Sequence, residues 1–289
     1  MSVRNNQDRT GARQSADDSA AIEEEEQSQQ PLPNPMSFVI PTEMVELPSK
    51  GQGYPPNHPL FNQEMVEIRH MTAKDEDILT SRSLLKKGLA LDRLIDNILV
   101  DKKVRSMHLL SGDRSAIVIE ARKYAYGNEY KTQITCPACG EQKRYKYDLN
   151  NKQIHYGEIP ENVTPNERGN FVVTLPVSKF EIEIKRMNGK DEQDMLERIR
   201  KQNKGSHGVD SSLSEQLKSI MVSVNGDDRQ AVCSYFAENM LSSDTRVLRE
   251  AYRKVNPDVK LTFDFECRSC GHEQELEVAL DADFFWPDR

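Results

Sequence analysis

The sequence contains two Cys-x-x-Cys-Gly motifs that lie more than a hundred residues apart. The first is Cys136-Pro137-Ala138-Cys139-Gly140 and the second is Cys267-Arg268-Ser269-Cys270-Gly271. A two-residue gap lets both sulfurs of a motif reach one ion, and the glycine that follows tolerates a positive φ angle. Four thiolates form the closed tetrahedral ligand set of a structural zinc site. The spacing therefore predicts one structural Zn²⁺ ion, held by Cys136, Cys139, Cys267 and Cys270.

Stretches of alternating polarity flank both motifs, which is typical of β-hairpins. Two such hairpins around one ion look like a zinc ribbon, here split by a long intervening segment. Closing a long loop is inexpensive, since each doubling of its length adds about 0.6 kcal/mol, whereas structural zinc contributes of order 10 kcal/mol. We therefore predict an α+β fold: a helical region plus β-hairpins, with a split four-cysteine zinc ribbon that clamps an inserted α+β unit at residues 150–258.

Other interpretations of the cysteines remain open beside zinc. A thioredoxin-type redox pair expects a strand-to-helix setting and gains nothing from a second motif. A disulfide is disfavoured in a reducing cytosol. His272 follows the second motif and could replace one cysteine ligand, although the spacing favours a solvated histidine. Cys233 lies in a helical pattern and is most simply a small buried residue.

Length and charge narrow the function classes. The chain has 289 residues, which suggests one elaborate domain or two modest ones. Its formal net charge is −8, whereas proteins that bind duplex nucleic acid usually carry a basic footprint. No apolar run approaches the roughly 20 residues of a membrane span, and the first residues lack the apolar stretch of a secretory signal. We expect a protein of the cytosol that binds other proteins.

Changes of composition along the chain suggest five segments. Residues 1–37 are polar and acidic, which predicts a disordered arm. Residues 38–70 contain several prolines and recurring apolar side chains, which predicts an extended strap lying on its own core or on a neighbour. A helical region with the first cysteine hairpin follows at 71–149, then the inserted unit at 150–258. The second cysteine hairpin and an aromatic end complete the chain at 259–289.

Local patterns place the main elements. Thr72 and Asp75 resemble a capping box that starts a helix. Apolar residues from Leu91 to Leu99 share one helical face, and Ser111 is expected to cap a further helix that runs to about Tyr126 and is ended by Gly127. Within 150–289 we predict strands at 171–175, 180–184, 259–266 and 273–280, and helices at 191–202, 213–222, 227–241 and 244–255.

The two cysteine hairpins carry opposite charges. Side by side around one ion, they would cancel rather than form a phosphate-binding groove. The first is basic, with Lys131, Lys143, Arg144 and Lys146, and the second is acidic, with Asp264, Glu266, Glu273, Glu275 and Glu277. The sequence contains no phosphate loop, no nucleophile elbow and no His-Glu-x-x-His motif, so we expect no enzyme activity.

Several segments together resemble a known family. They are Glu46-Leu47-Pro48-Ser49-Lys50-Gly51 with Tyr54-Pro55, Met71-Thr72-Ala73-Lys74-Asp75-Glu76-Asp77-Ile78-Leu79, Gly112-Asp113-Arg114, and Tyr126-Gly127-Asn128-Glu129-Tyr130. In this order they are similar to the baseplate hub proteins of contractile-tailed, T-even-like bacteriophages, a family also associated with hub assembly. The similarity covers about Phe38 to Leu149 and includes the closing Cys-x-x-Cys hairpin.

The resemblance implies a structural subunit of the baseplate hub, or a factor required for hub assembly. It further implies other baseplate or tail proteins as partners, no small-molecule substrate, and a place in the virion tail after assembly in the host cytoplasm. The strap at 38–69 and the aromatic end Phe284-Phe285-Trp286-Pro287 are candidate contact segments. The alternative is a zinc-ribbon protein that binds nucleic acid or acts in transcription.

Overall fold

The structure is a computed structural model that describes residues 39–203 and 212–286. The predicted arm at residues 1–37 lies outside this part of the chain, as do Phe38 and Pro287. Within the described residues, eight α-helices alternate with twelve short β-strands. The mixed helix-and-sheet class that the sequence predicts is therefore confirmed. No helix in the described ranges is long and apolar enough to cross a membrane.

The proline-rich stretch expected to form a strap forms a β-hairpin with a long connection. Strands β1 (Thr42–Glu46) and β2 (Met65–Arg69) pair in antiparallel register. Their inward side chains, including Val45 and Val66, are buried in the chain's own core. Gly51 has a φ of 71°, and a Cβ there would lie 2.3 Å from the backbone nitrogen of Gln63. Only glycine fits where the connection passes this close to itself.

Four helices follow: α1 (Ala73–Thr80), α2 (Arg82–Lys87), α3 (Ala90–Ile98) and α4 (Ser111–Tyr126). The predicted capping box is confirmed, because the Asp75 carboxylate accepts a 2.7 Å hydrogen bond from the backbone N–H of Thr72. The predicted end of α4 is also confirmed, since Gly127 follows its last turn with a φ of 81°, but Ser111 is the first helical residue after Leu110 and not the expected cap.

Three antiparallel pairs are built from strands that follow α4. Strands β3 (Glu129–Thr135) and β4 (Gln142–Asp148) form the first cysteine hairpin. Strand β5 (Gln153–His155) pairs with β10 (Asp258–Lys260), which is distant in sequence. The second cysteine hairpin consists of β11 (Thr262–Glu266) and β12 (Glu273–Glu277). The strand predicted at 259–266 is thus divided between two pairs, and the strand predicted at 273–280 ends at Glu277.

A four-stranded antiparallel sheet occupies the middle of the chain. Its order is β6 (Val163–Pro165), β7 (Phe171–Thr174), β8 (Glu181–Ile184) and β9 (Met221–Val224). The accompanying helices are α5 (Gly189–Asn203), α6 (Ser212–Ile220), α7 (Gln230–Asn239) and α8 (Ser242–Val255).

The prediction of a helix over 213–222 was wrong at its end. Helix α6 stops at Ile220, and the next four residues form β9. Because Met221 pairs with Ile184 and Val224 with Ile182, tertiary pairing with β8 decides the conformation. A short apolar run fits the periodicity of a helix and of a strand equally well.

Buried apolar residues of the described chain form two clusters. The first cluster draws on residues 45–149 and 259–285. The second cluster draws on residues 163–255. Polar contacts join them: Arg114 on α4 binds Glu192 on α5, and the backbone N–H of Ser111 donates to the carbonyl of Met187 at 3.1 Å.

Candidate metal centre

The four cysteines of the two motifs lie together in space. The Sγ atoms of Cys136 and Cys270 are 3.7 Å apart, as are those of Cys139 and Cys267, and all four sulfurs lie within 4.8 Å of one another. All four are free thiols. Four thiolates around zinc at about 2.3 Å would be separated by about 3.8 Å in a regular tetrahedron. The spacing of the sulfurs is therefore compatible with one bound metal ion.

The turns at residues 136–140 and 267–271, here called the two knuckles, share the same backbone hydrogen bonds. In the first, the N–H of Cys136 donates to the carbonyl of Glu141 at 2.8 Å, and that of Gly140 donates to the carbonyl of Cys136 at 2.9 Å. The second repeats both bonds at 2.8 Å, from Cys267 and Gly271. Both glycines have positive φ angles, 75° and 67°, yet an added Cβ would meet nothing within 4 Å. Backbone conformation, rather than space, therefore requires glycine here.

Burial and ionisation differ among the sulfurs. Cys136 and Cys267 are buried, whereas Cys139 and Cys270 are exposed. The backbone N–H of Cys270 lowers the pKa of the Cys267 thiol to about 7. At Cys139 the backbone N–H of Glu141 lowers the pKa, but the adjoining thiols of Cys270 and Cys136 outweigh it and raise the pKa to about 12. Without a cation the crowded thiols resist ionising together, and a bound metal would relieve that repulsion.

Aromatic side chains along the strands pack the two hairpins against each other. The ring of Tyr145 on β4 stacks on that of Phe263 on β11, with 4.5 Å between centroids. Tyr130 packs against Phe284, just beyond β12, at 5.1 Å. Phe284 and Phe285 are both 1% exposed. The aromatic end, predicted as a candidate contact with partners, is thus used inside the chain's own core.

The strand register shows how charge is distributed on the two hairpins, and only the second matches the predicted single sign. Asp264 lies directly opposite Glu275, and Glu266 lies opposite Glu273. Like charges at opposed positions destabilise a strand pair. In the first hairpin Lys131 lies opposite Lys146. The exposed face of the second hairpin is therefore acidic, whereas that of the first carries both signs, because the carboxylate of Glu129 pairs with Lys131 at 2.9 Å and with Lys146 at 3.5 Å.

The remaining candidate residues lie apart from the sulfurs. The imidazole of His272 lies 3.4 Å from the side-chain oxygen of Gln274, and the backbone carbonyl of His272 accepts a hydrogen bond from the N–H of Cys267. Cys233 is buried on α7, where its thiol points to the carbonyl of Val222 at 3.7 Å. Neither residue belongs to the group of four.

The buried carboxylate of Asp113 forms hydrogen bonds that connect two of the segments that carry the family resemblance. Asp113 accepts hydrogen bonds from the backbone N–H of Ser49 at 3.0 Å, from its hydroxyl at 2.6 Å, and from the hydroxyl of Tyr54 at 2.6 Å. Burial raises the pKa of Asp113 despite these donors. Burial and the adjacent carboxylate raise the pKa of Tyr54. The sequence analysis did not predict this network, because Ser49 and Tyr54 precede Asp113 by 64 and 59 positions.

A second buried carboxylate lies in the third such segment. Asp75 forms a two-pronged ion pair with the guanidinium of Arg69, at 2.8 and 3.0 Å, and accepts a 2.6 Å bond from Asn97. Burial tends to raise the pKa of Asp75, but Arg69 and Thr72 outweigh it and hold that pKa below its ordinary value. The segments that carry the family resemblance therefore form buried polar contacts within the first cluster.

A comparison with protein families identifies the chain. The family model described as T4 bacteriophage base plate protein matches residues 40–286. The chain belongs to this family. The match runs through both cysteine motifs and through 150–258, where individual motifs did not carry the resemblance. No curated protein and no solved structure matches the chain.

Proposed function

We propose that this baseplate-family protein is a structural subunit of the hub region of a contractile-tail baseplate, or a factor required to assemble that hub. The observation that carries the proposal is the family match, which spans residues 40–286. The protein would act through contacts with other baseplate or tail proteins. Its place would be the virion tail, after assembly in the host cytoplasm.

The proposal includes a structural zinc ion bound by Cys136, Cys139, Cys267 and Cys270. The spacing of the sulfurs and the all-thiol donor set support zinc. The ion would supply a cross-link between two hairpins that are distant in sequence. Because four thiolates leave no open coordination position, this ligand set favours a structural role over a catalytic one.

We further propose that the zinc clamps an inserted unit at residues 150–258. Two observations support this. The first cluster is built from chain on both sides of that segment, while the second lies inside it. At the point where the chain leaves and returns, β5 pairs with β10 and His155 lies opposite Asp258. The two ends of the segment are therefore adjacent.

Quantitative mass spectrometry of purified virions tests the role. A structural subunit will be present at a fixed small copy number relative to the tail proteins. An assembly factor will be absent from virions, but hub intermediates will contain it and hubs will not form when its gene is disrupted. A chain absent from both particles, whose disruption leaves tails intact, would contradict the proposal. A head protein quantified in the same sample provides the control for particle recovery.

A further inference from the structure

A groove opens between the two cysteine hairpins. Its volume is about 380 Å³, and the residues that line it come mainly from β3 and β12 and the chain that follows β12. Apolar side chains contribute much of its wall, including Ile134, Phe263 and Leu276. The other two strands, β4 and β11, are held together by the Tyr145–Phe263 stack. The hairpins therefore meet along one side and leave an apolar opening between β3 and β12.

The edge of β3 that faces away from β4 carries hydrogen-bonding groups outward. The N–H of Cys136 donates to Glu141, and that of Leu149 donates to Asn128. In an antiparallel pair, hydrogen-bonded and non-hydrogen-bonded residue pairs alternate. The even-numbered residues of β3 are therefore the ones whose backbone groups bond to β4. Gln133, which lines the groove, therefore directs its N–H and carbonyl away from β4. Among the described strands, β3 pairs with β4 alone.

The edge of β12 has the same character. The N–H of Cys267 donates to the carbonyl of His272, and that of Val278 donates to the carbonyl of Leu261. Even-numbered residues of β12 therefore bond to β11, and Glu277 directs its backbone groups to the other side. In the described part of the chain, β12 pairs with β11 only. Such strand edges are templates for pairing with another chain.

The charged residues that line the groove have one sign. Glu277, Asp281 and Asp283 line it, and no lysine or arginine is among its lining residues. The carboxylate of Asp281 is held in place by the backbone N–H groups of Asp283 and Phe284, at 3.0 and 3.2 Å. An incoming segment thus meets apolar walls, backbone hydrogen-bonding groups and a negative rim.

We propose that this groove docks an extended segment of another protein, with apolar side chains on one face and lysine or arginine flanking them. The segment would add as a strand along β3 or β12, place its apolar side chains between the hairpins and pair its cations with the rim. The inference rests on the proposed role in protein contacts and names the chemistry of the partner. The metal centre would hold the two walls in place at the end of the groove beside the knuckles.

A pair of synthetic peptides tests the docking. The probe is a fluorescein-labelled decapeptide in which valine alternates with lysine, and its counterpart has glutamate at every lysine position. Fluorescence anisotropy measures binding to the zinc-loaded full chain in 0.15 M salt. We expect the lysine peptide to bind at least about tenfold more tightly than the glutamate peptide, a difference of about 1.4 kcal/mol. Equal affinities, or no binding of either peptide, would overturn the proposal.

Charge variants separate the groove from general attraction to an acidic chain. Glu277→Lys and Asp283→Lys should each weaken binding of the lysine peptide by about tenfold. Glu273→Lys makes the same change of charge on β12 outside the groove lining and should alter binding by less than about twofold. If all three variants weaken binding equally, the attraction is non-specific and the groove is not the site. Unchanged zinc content and thermal unfolding show that each variant is folded.

A steric variant tests the cavity independently of charge. Ala279 is exposed and lines the groove, so Ala279→Trp should fill the opening and abolish binding of the lysine peptide. Ile159→Trp, at an exposed position outside both hairpins, should leave binding intact. Retained binding in Ala279→Trp would overturn the proposal. So would a chain that dimerises through the groove and loses the dimer in Glu277→Lys, because the occupant would then be a second copy.

The two proposals fail separately. Absence from virions and hub intermediates would sink the baseplate role and would leave the peptide affinities standing as measured. Failure of the peptides to bind would sink the groove, while the virion measurement would still decide the role.

Discussion

The two apolar clusters differ in how the chain supplies them. The second cluster comes from one continuous stretch, residues 163–255, and its four-stranded sheet forms between neighbours in sequence or nearly so. The first cluster joins residues 45–149 to residues 259–285. Its distant parts meet at two hairpins of seven and five residues per strand, which carry like charges at opposed positions. A region assembled from distant segments has the greater need of a cross-link, and the four cysteines lie in that region.

Buried carboxylates show the same contrast. In the first cluster Asp113 connects α4 to a turn that precedes it by more than 60 residues. In the second, the carboxylate of Asp244 near the start of α8 accepts 3.0 Å bonds from the backbone N–H groups of Val177 and Ser178. The donors to Asp113 belong to the buried residues Ser49 and Tyr54, whereas Val177 is 56% exposed. Water can replace the second carboxylate more easily than the first.

The largest expected effect is loss of the metal, which should destabilise the hairpins of the first cluster and leave the sheet of the second cluster intact. Cys267→Ser removes one ligand of the proposed zinc ion, and with it most of a binding free energy that can reach about 10 kcal/mol in zinc-dependent peptides. We expect the metal content to fall from one zinc per chain to near zero. Amide protection should be lost in 129–148 and 262–277 but retained in 171–184, as hydrogen exchange with mass spectrometry can show. Cys233→Ser, the matched control, should keep its zinc. A Cys267→Ser protein that binds zinc and melts like the parent would show that the site is wrong.

A smaller effect compares the two carboxylates. Asp113→Ala leaves the N–H of Ser49 and the hydroxyl of Tyr54 buried without their acceptor, which we expect to lower the free energy of unfolding by about 3 kcal/mol. Asp244→Ala should lower it by only about 1 kcal/mol, because water can reach its donors. Urea unfolding monitored by circular dichroism measures both, with exposed Asp77→Ala as the control. Equal losses at the two positions would contradict the difference in solvent access.

The smallest effect concerns acid and compares Asp75 with Glu215. Both pKa values are lowered in the folded protein: burial opposes the shift, and cationic partners outweigh it, chiefly Arg69 at Asp75 and Lys218 at Glu215. A lowered folded-state pKa contributes stability that is present above the unfolded value, about 4, and is lost as the pH falls through the folded value. Asp75→Asn and Glu215→Gln should each cost about 1–2 kcal/mol at pH 7.

The stability gap between each of these variants and the parent should narrow as the pH falls from 5 to 3. Thermal unfolding across that range measures it. A gap that stays constant for either variant would mean that its ion pair contributes nothing through ionisation. Asp113→Asn serves as the contrasting control. Because the pKa of Asp113 is raised, its charge lowers stability as the pH rises, so this gap should not narrow in acid.

Local patterns were sufficient to predict much of the fold. The end of α4 follows from Gly127, and both cysteine hairpins follow from alternating side chains around a two-residue gap. These signals depend on residues within a few positions of one another. Periodicity of this kind is the most dependable information that a single sequence holds.

What escaped prediction depends on partners distant in sequence. The conformation of Met221–Val224 is decided by β8, and the hairpin at residues 42–69 is decided by pairing across a long connection. The environment of Asp113 depends on Ser49 and Tyr54 in the same way. At the sulfurs, the repeat of the motif indicated a shared site, but the aromatic stack of Tyr145 on Phe263 that presses the hairpins together carried no local signal.

The distance between the two knuckles has a consequence for the order of events on the ribosome. Cys139 and Cys267 are 128 positions apart, which at about 5–20 residues per second corresponds to roughly 6–26 seconds of translation. The whole of the second cluster is synthesised in that interval and can fold while the first hairpin holds only two of the four thiols of the group. The group of four sulfurs can form only after Cys270 emerges. The four-cysteine site can therefore close only after the whole segment between the two knuckles has been synthesised.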